Sequence, residues 1–153
     1  MRWRFPTYSI EKKGYGLKLC FSGDITVEEM KQWLDDSEAF LQSAPQGFGV
    51  FVDMRKLKLI SQGVKDMFKR GQRHYKEMGM ARSVVIVENF TLAVQFKRIA
   101  LQSDIYDWER YIDATSNEDW QKLGEDWISQ GIDPDSDRRE RIASRLRQTN
   151  TSG

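Results

Sequence analysis

Apolar and polar residues follow two different spacings along this chain, and each spacing predicts a different kind of element. Residues 8–13 and 17–22 alternate on either side of the Gly14-Tyr15-Gly16 turn, which is the pattern of a β-hairpin with one buried face. Residues 47–52 and 83–87 form nearly continuous apolar runs, as expected of strands that are buried on both faces. We predict that the first of these central strands ends at Asp53.

Apolar residues at three- and four-residue spacing predict helices in the stretches between these strands. Thr26 and Glu29 form a capping box at the start of the first helix. Ser61 is a suitable N-cap for the second helix, and Ser116 with Asp119 for the fourth. The predicted inner faces are Val27, Met30, Trp33, Leu34, Phe40 and Leu41; Val64, Met67, Phe68, Gly71, Tyr75 and Met78; Leu92, Phe96, Ile99 and Ala100; and Trp120, Leu123, Trp127 and Ile128.

The predicted elements occur in the order β-β-α-β-α-β-α-β-α, with a last short strand at residues 110–112. Strands that alternate with helices become parallel neighbours joined by right-handed crossovers, so we predict an α/β fold with a mostly parallel sheet. A chain of 153 residues can bury one sizeable core, and we assign residues 1–132 to a single domain. Residues 133–153 are rich in arginine and predict a C-terminal helix or tail, and such a helix could pack on a sister subunit.

Polar residues directly follow the predicted strands. The carboxyl ends of parallel strands meet at one edge of a sheet, where ligands and partners commonly bind, so these residues should lie together. Arg55 and the helix cap Ser61 belong to the same region of the chain. The predicted partner-binding or ligand-binding edge therefore comprises Asp24, Asp53, Arg55, Ser61, Glu88 and Asn89, with Asp113 at the end of the last strand. Ordinary loop residues and helix caps are the alternative interpretation.

The chain resembles the STAS domain, the fold of anti-sigma-factor antagonists and of many bacterial sensor modules. The order of elements, a strand that ends in Val52-Asp53-Met54 and a serine that caps the next helix carry this resemblance, which covers about residues 8–131. It implies a non-catalytic regulatory or protein-interaction module in bacterial signalling. The implied partner is a protein such as a kinase or an anti-sigma-like protein, and we expect the module to be a homodimer.

Ser61 is the candidate phosphorylation site that follows from this resemblance. Family members that act as phosphoswitches carry Asp-Ser-Ser-Gly at the start of the second helix, where this chain has Ile60-Ser61-Gln62-Gly63. Ser61 and Gly63 fit that motif, whereas the acid is absent and Gln62 replaces a serine. A phosphate on a helix N-terminus is favoured by free N–H groups and the helix dipole, and Arg55 could pair with it. Otherwise Ser61 is simply a helix cap.

Charge and residue counts exclude several functional classes. The net charge of +1, from 24 basic and 23 acidic side chains, does not favour nucleic-acid binding. Cys20 and His74 are the only cysteine and histidine, so one chain has neither a disulfide nor a Cys/His zinc site, and we expect a cytoplasmic protein. No apolar run approaches the roughly 20 residues of a membrane span. We predict no cofactor, no metal and no catalytic residues.

Two further groups of side chains on or near the second helix have more than one interpretation. Met67, Met78 and Met80 with Phe68 and Tyr75 could line a pocket, and this fold is distantly similar to lipid-carrying domains. The alternative function is therefore a carrier of a small apolar ligand or lipid, whereas core packing is the simpler role. The basic residues Lys65, Lys69, Arg70, Arg73 and Lys76 could bind an acidic partner or phosphates, or form a solvated helix face.

Overall fold

The strands form one five-stranded sheet whose spatial order follows the order of the chain. The computed structural model describes residues 6–58, 60–136 and 146–147. The strands are β1 (Tyr8–Lys13), β2 (Gly16–Gly23), β3 (Gly49–Leu57), β4 (Arg82–Val87) and β5 (Glu109–Asp113). β1 and β2 form an antiparallel hairpin, and β2 to β5 are parallel neighbours. The predicted α/β fold with its N-terminal hairpin and mostly parallel sheet is confirmed.

In the part of the chain that the structure describes, four α-helices cover the two faces of this sheet unequally. They are α1 (Val27–Ser43), α2 (Gln62–Glu77), α3 (Phe90–Leu101) and α4 (Trp120–Gln130), with a short 3-10 helix at Asp104–Asp107. Because β2 to β5 advance in one direction across the sheet, right-handed crossovers place α1, α2 and α3 on the same face. α4 packs on the opposite face, over Phe51, Val84, Ile86 and Ile112.

Alternating residues of β3 show how one strand serves both faces. Val50, Val52 and Met54 belong to the larger core beneath α1 to α3, whereas Phe51 belongs to the smaller core beneath α4. Trp33 of α1 is buried in the larger core. This packing explains why residues 48–52 form an unbroken apolar run, since neither face of the strand meets solvent.

The helix caps confirm two predictions and contradict a third. Thr26 Oγ1 accepts a hydrogen bond from the Glu29 amide at 3.1 Å, and Ser61 Oγ accepts one from the Val64 amide at 3.2 Å. The predicted Ser116 cap is wrong, because Ser116 Oγ donates to the Asp113 carboxylate at 2.9 Å. α4 instead begins after Asp119 without a side-chain cap.

β3 is longer than the predicted central strand. It continues through residues 53–57, because a shift of register between Cys20 and Ser22 lets Ser22 pair with Lys56 and Gly23 with Leu57. Asp53 therefore lies inside the strand and does not follow it, which corrects the prediction that the strand ends there.

Within the described residues, no helix is long and apolar enough to cross a bilayer. The predicted C-terminal helix or tail falls, over residues 137–145 and 148–153, outside the described residues.

Candidate functional site

Asp53 and Arg55 form a tight ion pair on the α4 face of the sheet. Arg55 Nε donates to Asp53 Oδ1 at 3.0 Å and Arg55 Nη2 donates to Asp53 Oδ2 at 2.9 Å. The guanidinium also lies 4.0 Å from the centre of the Trp120 ring. The hydrogen bonds to Asp53 raise the pKa of Arg55. This arginine is thus held by a carboxylate and an aromatic ring, which offset much of its charge.

Glu88 and Asn89 lie where β4 ends and α3 begins. Asn89 Oδ1 accepts a hydrogen bond from the Leu92 amide at 2.9 Å and so caps α3. Both residues border an open groove of about 280 Å³ that also reaches Arg55. The rest of the groove is lined by Met54, Leu57, Lys58, Ile60, Lys65, Val87 and Leu92. The structure therefore brings three of the six predicted site residues, Arg55, Glu88 and Asn89, to one groove.

The other predicted residues do not line this groove. Asp24 is exposed in the loop after β2, and Asp53 lies behind Arg55. Ser61 is exposed at the start of α2, next to the groove residue Ile60. The Arg55 side chain is directed to Asp53 and to Trp120 of the opposite face, so the structure does not place it on Ser61.

An apolar cavity of about 170 Å³ lies between α2 and α3, above the sheet. Its apolar lining comprises Phe21, Ile25, Met30, Met54, Leu57, Ile60, Val64, Phe68, Leu92, Phe96, Ile99 and Ile105, and its polar lining comprises Gln62, Lys65, Lys69, Gln72, Gln95 and Tyr111. Five residues, Met54, Leu57, Ile60, Lys65 and Leu92, line the groove as well as the cavity. The polar groove and the apolar cavity therefore adjoin, with these five residues at the boundary between them.

The cavity only partly matches the pocket that the methionines suggested. Of the five residues proposed for it, only Phe68 lines the cavity, whereas Met67, Tyr75 and Met80 belong to the packed core. Ile99, predicted to face inward, is 45% exposed because it stands at the cavity wall rather than in the core.

Glu109 is a fully buried carboxyl group behind the floor of the cavity, with 0% of its surface exposed. Gln72 Nε2 donates to its Oε1 at 2.5 Å and Ser83 Oγ donates to the same oxygen at 2.7 Å. The Tyr111 hydroxyl donates to Oε2. Burial raises the pKa of the Glu109 carboxyl group above its ordinary value.

Two of the three donors to Glu109 are themselves part of the cavity wall. Gln72 and Tyr111 both line the cavity, and the Tyr111 ring packs 5.6 Å from the Phe96 ring, measured between centroids. The sequence prediction missed Glu109 because the residue was placed in the loop before a strand at 110–112. The signal that could have found it is period two, since residues 109 and 111 share one face of β5.

Lysine ammonium groups stand at the mouth of the cavity. Lys65 is half-buried and lines both the groove and the cavity, Lys58 lines the groove, and Lys69 lines the cavity. None of these three forms a salt bridge with another residue in the described ranges. The N-termini of α2 and α3 lie at the same edge, so the local field favours an anion.

Comparisons with protein-family models, curated proteins and solved structures find no match for this chain. The resemblance to the STAS domain therefore stays a prediction. In the described part of the chain, no group of three or more His, Cys, Asp or Glu side chains could hold a metal ion.

Proposed function

We propose that the protein binds a small amphipathic anion without transforming it, as a carrier or a sensor. The apolar part of the ligand occupies the cavity between α2 and α3, and its charged end lies in the adjoining groove. The observation that carries this proposal is that the apolar cavity adjoins a groove lined by Lys58 and Lys65, neither of which forms a salt bridge within the described residues.

The size of the cavity supports a ligand with a single ring or a short acyl chain. A dry cavity of about 150 Å³ lined by Leu, Ile and Phe is known to accept benzene, and the cavity here measures about 170 Å³. Burying six methylene groups gains about 5 kcal/mol, much of which offsets the entropy lost on association. Contacts of the charged end must therefore supply part of the affinity.

The charge at the mouth supports an anionic end group. Lys65 is the charged residue among those that line both the cavity and the groove. Lys58 lines the groove and adds a second ammonium group there. Glu88 is the carboxylate that lines the groove, and it lies close enough to act on the charge of Arg55. A carboxylate or phosphate end group would thus face more positive than negative charge.

Calorimetric titration with 3-phenylpropionate and with hexanoate tests the proposal. We expect Ile99→Trp to abolish binding, because the new indole fills the cavity. Leu101→Trp is the matched control, since Leu101 lies on the same helix, is 58% exposed and does not line the cavity. Wild-type affinity in Ile99→Trp, or equal loss in the two variants, would contradict the proposal.

A STAS-like regulatory module is a second candidate function. It is favoured by the exposed Ser61 at the N-terminus of α2, directly beside the groove residue Ile60. In this proposal a protein partner binds to the carboxyl edge of the sheet in a homodimer. A phosphate on Ser61 changes the affinity of that partner. Intact-mass measurement on protein from its own cells tests it. A phosphate-sized addition that disappears in Ser61→Ala is expected, and its absence under all growth conditions would count against the switch.

A further inference from the structure

The hydrogen bonds around Glu109 fix the polarity of the cavity floor. Once Glu109 is ionised, above its raised pKa, its carboxylate can only accept, and its three neutral neighbours are placed as donors toward it. Two of these neighbours, Gln72 and Tyr111, also face the ligand cavity. Glu109 therefore determines whether Gln72 and Tyr111 present hydrogen-bond donors or acceptors to a ligand, although Glu109 itself does not line the cavity.

Gln72 is left with a free acceptor. Its Nε2 is committed to Glu109 at 2.5 Å, which determines how the amide is oriented. The side chain is only 9% exposed, and its carbonyl oxygen accepts no hydrogen bond from any residue in the described ranges. Within the described residues, the fully buried side-chain polar atoms without a partner are Trp33 Nε1 and Arg82 Nε, so the Gln72 oxygen is accessible and can accept a hydrogen bond from a ligand.

Tyr111, like Gln72, can present only a hydrogen-bond acceptor to the cavity. Its single hydroxyl hydrogen is used in the bond to Glu109, so its oxygen can only accept from a ligand. Two acceptors thus stand at the floor, while ammonium groups of Lys58, Lys65 and Lys69 stand at the mouth. The floor of the cavity therefore favours a hydrogen-bond donor on the ligand, whereas the mouth favours an anionic group.

We infer that the ligand carries a hydrogen-bond donor at its buried end as well as an anionic group at its outer end. The chemical class that meets both requirements within this volume is a hydroxyaryl or ω-hydroxyalkyl carboxylate. This inference rests on the proposed function, because it specifies the ligand of the same cavity. Glu109 acts as a positioning residue that selects the ligand through Gln72 and Tyr111.

Three probes of nearly equal size distinguish the possibilities: 3-phenylpropionate, 3-(4-hydroxyphenyl)propionate and 3-(4-pyridyl)propionate. The first has no polar group on its ring, the second has a donor and the third has only an acceptor. We expect the hydroxyphenyl compound to bind the wild-type protein about ten-fold more tightly than the phenyl compound. The pyridyl compound should bind more weakly than either. Equal affinities would overturn the inference and leave the proposed function standing, whereas no binding by any probe to the folded protein would overturn both.

Glu109→Gln provides the sharpest variant. Its new amide N–H must donate, so Gln72 turns its oxygen toward residue 109 and its N–H₂ toward the cavity. The preference should invert, with the pyridyl compound gaining affinity and the hydroxyphenyl compound losing about ten-fold. An unchanged preference in the folded variant would overturn the inference.

Gln72→Met keeps the test decisive if Glu109→Gln does not fold. Methionine retains the length of the side chain and removes one of the two acceptors, so the preference for the hydroxyphenyl compound should fall while 3-phenylpropionate still binds. Gln95→Met is the matched control, because Gln95 also lines the cavity and makes no hydrogen bond to Glu109. A hydroxyl preference lost equally in both variants would overturn the role of Gln72.

Discussion

The two faces of the sheet are filled to different extents, although the same strands supply both. On the α4 face, Gly124 approaches so closely that an added Cβ would lie 2.6 Å from Cε2 of Phe51. On the opposite face, Gly71 of α2 approaches Trp33 of α1 just as closely, but a cavity remains between α2 and α3. The filled face has the packing of a structural core, whereas the other face leaves an apolar volume in which a ligand can bind.

Truncation of an aromatic ring on each face should give the largest difference. Phe51→Ala removes a ring that is buried in the filled face, and we expect a loss of about 3–5 kcal/mol in the free energy of unfolding. Phe96→Ala removes a half-buried ring beside an existing cavity, and the loss should be below about 2 kcal/mol. Urea denaturation measures both values. Equal losses would mean that the two faces are equally well packed.

Substitution by a larger side chain should also affect the stability of the two faces differently, with the larger loss on the filled face. Gly124→Ala forces Phe51 to move, and we expect a loss of about 1–3 kcal/mol despite the better helix propensity of alanine. Ile99→Phe extends into the cavity and should change stability by less than about 0.5 kcal/mol. Thermal melts of the two variants check this comparison. A large cost for Ile99→Phe would show that the space between α2 and α3 cannot be filled.

The pH dependence of stability should reveal the buried carboxyl group on the cavity face. Because the pKa of Glu109 is raised in the folded protein, folding binds a proton just above the ordinary value of 4.5. The free energy of unfolding should therefore fall as pH rises through this window, by up to about 1.4 kcal/mol per pH unit. Glu38, whose pKa is lowered by its hydrogen bond with His74, gives the opposite trend only below 4.5.

Glu109→Gln isolates that contribution. The variant should lose the decline above pH 4.5 and keep the behaviour below it, since the exposed carboxylates are unchanged. Denaturant titrations at a series of pH values measure this difference. Identical pH profiles for the variant and the wild-type protein would show that folding leaves the pKa of Glu109 at its ordinary value.

Local sequence signals predicted the elements, and contacts between elements decided what those signals missed. Thr26 and Ser61 were identifiable as caps because their partners lie three residues away. The end of β3 was not, because it depends on the pairing of Lys56 and Leu57 with β2. Ser116 has the composition of a cap, but the nearby Asp113 accepts its hydrogen bond instead.

Some residues of the candidate site could likewise be predicted from local sequence order, whereas others depend on contacts between distant elements. Glu88 and Asn89 could be placed at the carboxyl edge from the order of the strands, and they do line the groove. The period of β5 places Glu109 on one face with Tyr111, but its bond to Gln72, which lies 37 residues earlier in the chain, could not be predicted from the local pattern. The cavity depends on the spacing between α2 and α3, and no residue pattern along either helix encodes that distance.

The identity of spatial and chain order in the sheet has a consequence for how the protein is made. Every strand pairs only with the strand next to it in the chain, so the growing polypeptide can add each strand to an edge that is already in place. Pairing between strands that are neighbours in the chain keeps the sequence separation of the paired residues low, which favours faster folding than pairing between more distant strands would. α4 is synthesised last among the described helices, so the apolar surface around Phe51 stays uncovered until it leaves the ribosome. During that interval the nascent chain presents the surface on which a chaperone would bind.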